Sequence, residues 1–196
     1  MRRTKADTEV TYRSLLQIAR DQFAEHGYAG TSLEAIVQAA NMTRGAVYHH
    51  FRNKQELFRC VLADIHQEVS ARIEQGAAES DDVWEQLKLG CRAFILAAVE
   101  PRNQRIMLID GPSILGGDVW REMDHAHSMR LLHAQLELMQ QQGWFNDLSI
   151  EALTHFISGG LNETAIRLAL QPDLPSSLQE AMAMIDALLE GLRLRS

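Results

Sequence analysis

An all-α fold is predicted by three observations. Proline is scarce, with four in 196 residues, while Ala, Leu, Gln and Glu are abundant. Apolar residues recur at three- and four-residue intervals along most of the chain, the period of an amphipathic helix. Ser, Thr, Asp or Asn followed three residues later by Glu marks one helix start after another. The expected form is an N-terminal three-helix head fused to a larger helical body, about nine helices in total. An apolar content of 46% is ample for a core.

The first helix is expected over Thr8 to His26, on the stripe Tyr12, Leu16, Ala19 and Phe23, with Gly27 as its stop. Thr31 and Glu34 form a capping box that opens a short helix to about Ala40. Asn41 and Met42 make a turn, and Thr43 caps a second short helix ending near His50. Asn53 to Glu56 repeats the capping signature and starts a long helix on Phe58, Leu62, Ile65, Val69 and Ile73, ending near Gly76. After a polar hinge, Asp82 caps a helix to about Val99. Arg102 to Asp110 reads as one short helix, and G-P-S-I-L-G-G as a break with some helical turn. Asp118 to Gln142 reads as one long helix stopped by Gly143. Ser149 to Leu170 and Ser177 to about Leu194 complete the series, with Ser177 and Glu180 as a further capping box.

Composition narrows the function classes. No apolar run reaches the roughly 18 residues a membrane span needs, and no apolar signal core follows M-R-R-T-K-A-D-T. With only Cys60 and Cys91 present, a reduced, cytoplasmic protein with no membrane partner is expected. The chain lacks G-x-S-x-G, a phosphate loop, H-E-x-x-H and a catalytic acid pair, so no enzyme activity is expected. The net charge of −7 hides an asymmetry. Residues 1–60, which include Arg2 and Arg3, hold nine Lys/Arg against six Asp/Glu, a balance of +3 that leaves −10 for the remainder. A basic head on an acidic body is the pattern of a chain that meets an anion with one end.

The head carries the chemistry. Two short helices joined by a tight turn make a helix-turn-helix over about residues 32–51, whose second helix enters the major groove of DNA by its N-terminal part. That helix begins T-R-G-A-V-Y-H-H-F, and glycine costs a helix about 1 kcal/mol relative to alanine. Gly45 and Ala46 are small because that edge must come close to DNA. Arg44 reaches a guanine edge, Tyr48 and His49 lie one turn on, and Phe51 turns inward to anchor the helix. Thr43, Thr31 or Ser32, and Lys54 at the start of the next helix are expected on phosphates.

The stretches I-A-R-D-Q-F-A-E-H-G-Y-A-G-T-S-L-E-A-I and A-A-N-M-T-R-G-A-V-Y-H-H-F-R-N-K-Q-E-L-F, within residues 12–60, closely resemble the DNA-binding head of the TetR (tetracycline-repressor-like) family of bacterial transcriptional regulators. The resemblance implies residues 1–53 as a DNA-binding domain and residues 54–196 as an effector-binding and dimerisation domain. It further implies a homodimeric repressor on a double-stranded, near-palindromic operator, released when a small-molecule effector binds the body. The same residues leave open a ligand-dependent activator. They also leave open a DNA-binding protein of this fold without an effector, in chromosome organisation or as a protein adaptor.

In the body, Leu153, Ile157, Leu161, Thr164 and Leu168 form one stripe, with Gly160 permitting close approach, and Leu178, Met182, Ile185 and Leu189 form another. Paired with their copies they would make a four-helix bundle; the alternative is that both stripes pack within one chain. Trp84, Phe94, Met107, Trp120, Met123, Met129 and Phe156 are candidates to line an effector pocket, with Arg92 and Asn162 as polar anchors, though such residues also fill ordinary cores. Asp124, His125, His127 and His133 lack the i, i+4 histidine pair of a helical zinc site, so neither metal nor cofactor is expected.

Overall fold

The computed structural model describes residues 5–193. Arg2 and Arg3 of the basic head, and Leu194 at the expected end of the last helix, lie outside the described residues. The described chain is all-α. Its helices are α1 (Lys5–Gly30), α2 (Leu33–Ala39), α3 (Arg44–His50), α4 (Lys54–Ala77), α5 (Val83–Ala98), α6 (Gly111–Leu115), α7 (Gly117–Asp124), α8 (Arg130–Gln141), α9 (Ile150–Ala169) and α10 (Leu174–Arg193). A π-helical segment, Arg105–Asp110, runs into α6, and another, His125–Met129, joins α7 to α8. The long helix expected over Asp118–Gln142 is therefore present with a π-bulge inside it. Counting each unbroken run once gives nine helices among the described residues.

Most helix ends are where side-chain chemistry places them. Thr43 accepts from the Ala46 N–H, Asp82 from the Trp84 and Glu85 N–H groups, and Ser149 from the Ala152 N–H. Asn53 accepts from the Glu56 N–H at 2.8 Å, while Glu56 accepts from the Arg52 N–H at 2.8 Å. Gly27 takes φ 72°, ψ 171°, breaking helical geometry at the expected stop before one more turn follows. Two caps differ from expectation. Ser32, not Thr31, caps α2, accepting from the Ala35 N–H at 3.0 Å. The last helix starts at Leu174 rather than Ser177: Asp173 accepts from the Ser176 N–H, and Pro175 is tolerated because a first-turn residue needs no intrahelical donor.

The described residues form two compact units. The first comprises the chain up to Ile65 together with Pro101–Trp120. Its core is built on Leu15, Ala19, Phe23, Ile36, Val47, Phe51, Leu57, Phe58 and Leu62, all essentially inaccessible. Phe58 meets Phe23 edge-on at 5.1 Å between ring centres, and Tyr12 stacks on Phe51 at 5.3 Å, which holds the end of α3 against α1. The 101–120 segment is tied to α1 by charge: Arg20 donates to Asn103 and Arg102 to Asp21, each at 2.5 Å, and the Tyr28 N–H donates to Asp110 at 2.8 Å.

The second unit comprises His66–Glu100 and the chain from Arg121 onward. Trp84 packs against Trp144 and Phe145, with its indole N–H directed to Glu190 at 3.3 Å. Ile95, Leu136, Met139, Leu153, Ile157, Leu161, Ala165, Leu168 and Leu189 complete this core. Among the described residues, no helix is long and apolar enough to cross a membrane.

Candidate nucleic-acid interface

α3 hangs on its buried Val47 and on Phe51 just beyond it, so the opposite edge is free. Thr43, Arg44, Gly45, Tyr48 and His49 are exposed on that edge, and Ala46 is half-buried. A Cβ built on Gly45 would meet nothing within 4 Å. The chain's own packing therefore has no need of a glycine there, and the helix accepts the loss in propensity without any internal compensation. Arg44 is held ready by its neighbours. Its guanidinium lies 3.1 Å from the Glu34 carboxylate, 3.4 Å from the Tyr48 hydroxyl and 5.2 Å from the centre of the Tyr48 ring. An ion pair this exposed is weak and readily exchanged for a base edge or a phosphate. Glu34 was not foreseen as the partner of Arg44, because i to i+10 pairing across a turn leaves no periodic signal.

Two expected phosphate ligands are turned inward. Thr31 is 2% exposed, and its hydroxyl donates to the carbonyls of Gln22 and Gly27, tying the end of α1 to the start of α2. The adjacent Ser32 is the exposed hydroxyl. The Lys54 ammonium donates to the carbonyls of Tyr28 and Thr31 at 2.8 and 2.9 Å and sits 4.2 Å from the centre of the Tyr28 ring. It binds carbonyls at and just beyond the end of α1, a contact visible only after α4 has packed on α1. Lys54→Met is accordingly expected to lower stability by about 2–3 kcal/mol, the scale of two charge-assisted hydrogen bonds, read as a lower urea midpoint. An unchanged midpoint would show that these carbonyls need no ammonium.

The second unit contains a cavity of about 310 Å³ lined by residues from α4, α5, the π-bulge, α8 and α9. Of the residues expected in an effector pocket, Phe94 and Met129 line it. Trp84, Met123, Arg92 and Asn162 do not, although all lie in this unit. Met107 and Trp120 belong to the first unit, where the Trp120 indole N–H donates to the Met107 carbonyl at 2.7 Å. Phe156 is 71% exposed on the outer side of α9. Gln86, Cys91, Ser128, Gln135 and Ser158 were not foreseen; they contribute most of the wall's polarity from four separate elements.

The expected interface stripes divide in the same manner. Leu153, Ile157, Leu161, Leu168 and Leu189 are buried within the single chain, so they are core. Gly160 is exposed, while Thr164, Leu178, Met182 and Ile185 are half-buried. The open apolar surface of α9 and α10 is instead Phe156, Met184 and Leu188, at 71%, 61% and 56% exposure. The outer faces of these helices mix apolar and small residues with charged ones, so periodicity alone did not single out Phe156, Met184 and Leu188.

In the same unit, His66 is fully buried and neither ring nitrogen has a partner; it stacks on His127 at 5.7 Å. Burial, and then the neighbouring His127, hold its pKa at about 4 against an ordinary 6.5. Above pH 6.5 the ring is neutral folded or unfolded. Between there and about 4 only the unfolded chain takes up the proton, so stability falls as pH drops through that window, by up to about 3 kcal/mol from this group. Asp124 acts with the opposite sign, because burial raises its carboxyl pKa. His66→Leu is expected to remove the first contribution. Urea unfolding at neutral pH and at about pH 4.5 should show a smaller acid loss in the variant than in the wild type, and an equal loss would refute the assignment.

A short exposed helix at the end of a tight helical turn, on a head whose core holds its other side, is the architecture of helix-turn-helix DNA-binding proteins. Residues 15–61 match the model described as bacterial regulatory proteins, tetR family, and residues 84–192 match the model of a tetracyclin repressor-like C-terminal domain. The chain is 32% identical over 175 residues to the probable acrEF/envCD operon repressor of Escherichia coli K12, covering 82% of this chain and 77% of that one. It is also 32% identical over 189 residues to the transposon Tn10 TetC protein of Escherichia coli, covering 93% and 92%. A solved TetR-family transcriptional regulator from Pectobacterium atrosepticum is 34% identical and superposes with a TM-score of 0.80 over 97% of both chains. The chain belongs to the TetR family of bacterial regulatory proteins. It is a DNA-binding transcriptional regulator.

Proposed function

We propose that this regulator is a homodimeric repressor that leaves a near-palindromic operator when a small molecule occupies the body. The observation that carries the DNA-reading part is Gly45, a helix glycine with open space where its side chain would be, flanked by an exposed Arg44. Arg44 reads a guanine edge in the major groove, and Gly45 and Ala46 let the backbone approach. Tyr48 and His49 extend the contact one turn on, while Ser32 and Thr43 hold phosphates. Residues 1–53 serve as the DNA-binding domain, and residues 54–196 bind the effector and pair the chains.

Pairing is supported by the exposed apolar surface of Phe156, Met184 and Leu188. Gly159, Gly160 and Gly191 have no atom within 4 Å of a built Cβ, which leaves room for a second chain to approach closely. One short helix reads few bases, and two of them about 34–36 Å apart read an inverted repeat.

Release runs through α4. Its C-terminal part supplies Ile73, Glu74 and Ala77 to the cavity wall, and its first residue, Lys54, is bonded to carbonyls just before the helix-turn-helix. A ligand that displaces the lower end of α4 alters the spacing of two heads. It acts only if it binds the DNA-incompetent arrangement more tightly than the competent one.

The test is selection of the full chain against a random duplex library at moderate salt. An enriched inverted repeat is expected. Salt-sensitive binding with no enriched motif would overturn this reading in favour of an architectural role.

A further inference from the structure

The cavity's wall has one charge sign. Among its 17 lining residues none is Lys, Arg or His, and the single formal charge is the carboxylate of Glu74. Most of the wall is aliphatic or aromatic, and two of its polar residues, Ser128 and Ser158, stand on the π-bulge and on α9, which pack together. Ser128 is 7% exposed and its hydroxyl has no hydrogen-bond partner. One turn behind, at the i−4 and i+4 positions of those two serines, stand Asp124 and Asn162. Asp124 is 4% exposed; one carboxyl oxygen accepts from the Asn162 amide at 2.9 Å, and the other has no hydrogen-bond partner. Ser158 adds to what favours the ionised form of this carboxyl group, and the carbonyl oxygen of Asn162 is unpartnered. The charged or chargeable neighbours are His125, which is exposed, and His127, stacked on His66.

Resting on the reading of this cavity as the effector site, we propose that its ligand is an amphiphile with an apolar body and one cationic, hydrogen-bond-donating nitrogen. Ser128 and Ser158 receive that nitrogen, with Asp124 behind them. The acceptor count decides the sign. Both serines stand in the wall, the Ser128 oxygen buried and without a partner, and an ammonium head brings donors and no acceptor to such oxygens. An anionic head would approach a buried carboxylate in a wall with no cation, where like charges repel strongly. A neutral alcohol fills the apolar part equally well but leaves the carboxylate without a counter-charge. Burial raises the Asp124 carboxyl pKa in the empty protein, and a cation one serine away favours its ionised form.

Calorimetric titration of the full chain with octylammonium, n-octanol and octanoate, one at a time near neutral pH, separates these cases. Octylammonium is expected to bind about tenfold or more tightly than n-octanol, and octanoate more weakly than either. Asp124→Asn and Ser158→Ala should each bring octylammonium to the n-octanol level while leaving n-octanol unchanged, a split that mere misfolding would not give. Equal affinities for octylammonium and n-octanol, or octanoate as the tightest binder, would overturn the cationic assignment and leave the cavity reading in place. Binding of none of the three, or binding undiminished when Leu132→Trp fills the cavity, would overturn the cavity reading and this inference with it.

Discussion

Gly45→Leu is expected to abolish specific DNA binding in a protein that folds as well as the wild type. Inside the chain the added Cβ meets nothing within 4 Å at an exposed position, and leucine is the better helix former by up to about 0.8 kcal/mol. Stability should therefore be unchanged or slightly raised in urea unfolding. Against DNA the added side chain occupies the gap through which the backbone of α3 approaches base edges. Arg44 is then carried away from its guanine and the phosphate contacts lose their register. The loss should approach the whole difference between specific and non-specific affinity, about 10³-fold or more, in a fluorescence anisotropy titration of the selected duplex. Full affinity in the leucine variant would mean that α3 does not face the groove by this edge.

The second large effect is expected from Phe156→Asp combined with Leu188→Asp. Both side chains are more than half exposed in the single chain, so neither change should disturb the core of the second unit. In a dimer built on α9 and α10 each would bury an unpaired carboxylate, at about 3 kcal/mol or more, which corresponds to a weakening of association beyond about 100-fold. Sedimentation should then show single chains at concentrations where the wild type is paired. Operator affinity should fall with it, since one recognition helix reads only half of an inverted repeat. A variant that remains paired would place the interface elsewhere on the body.

The parts of this molecule legible in the sequence are those decided locally. Thr43, Asp82 and Ser149 cap the helices they precede because a side-chain oxygen needs only an N–H two or three residues on. Gly27 stops regular helix through its own φ, and Gly45 was conspicuous as a propensity defect. What the sequence hides depends on distant partners. Thr31 and Ser32 are adjacent hydroxyls, and only the packing of α2 on α1 buries the first and leaves the second to cap. Lys54 carries the charge expected of a phosphate ligand, but the carbonyls it meets lie 23 and 26 residues earlier.

The body shows the same limit on a larger scale. Met107 and Trp120 have the composition of a pocket lining, yet the segment holding them packs in the first unit through Arg20, Arg102 and Asp110. Phe156 has the composition of a pocket lining, yet it sits among Glu151, His155, Glu163 and Arg167 on the outer side of α9 and is the most exposed large apolar side chain among the described residues. The cavity itself had no signature, because its wall draws on four helices and a π-bulge that sequence periodicity treats as uninterrupted helix.

The central claim is that α3 reads base edges in the major groove from both halves of a repeat. Dimethyl sulfate interference on the selected operator tests it most directly, because methylation at guanine N7 blocks the major groove and methylation at adenine N3 blocks the minor groove. The account predicts strong interference at one or more guanine N7 positions placed symmetrically in each half-site, with adenine N3 in the same half-site tolerated. Interference confined to adenine N3, or to one side of the repeat only, would contradict it.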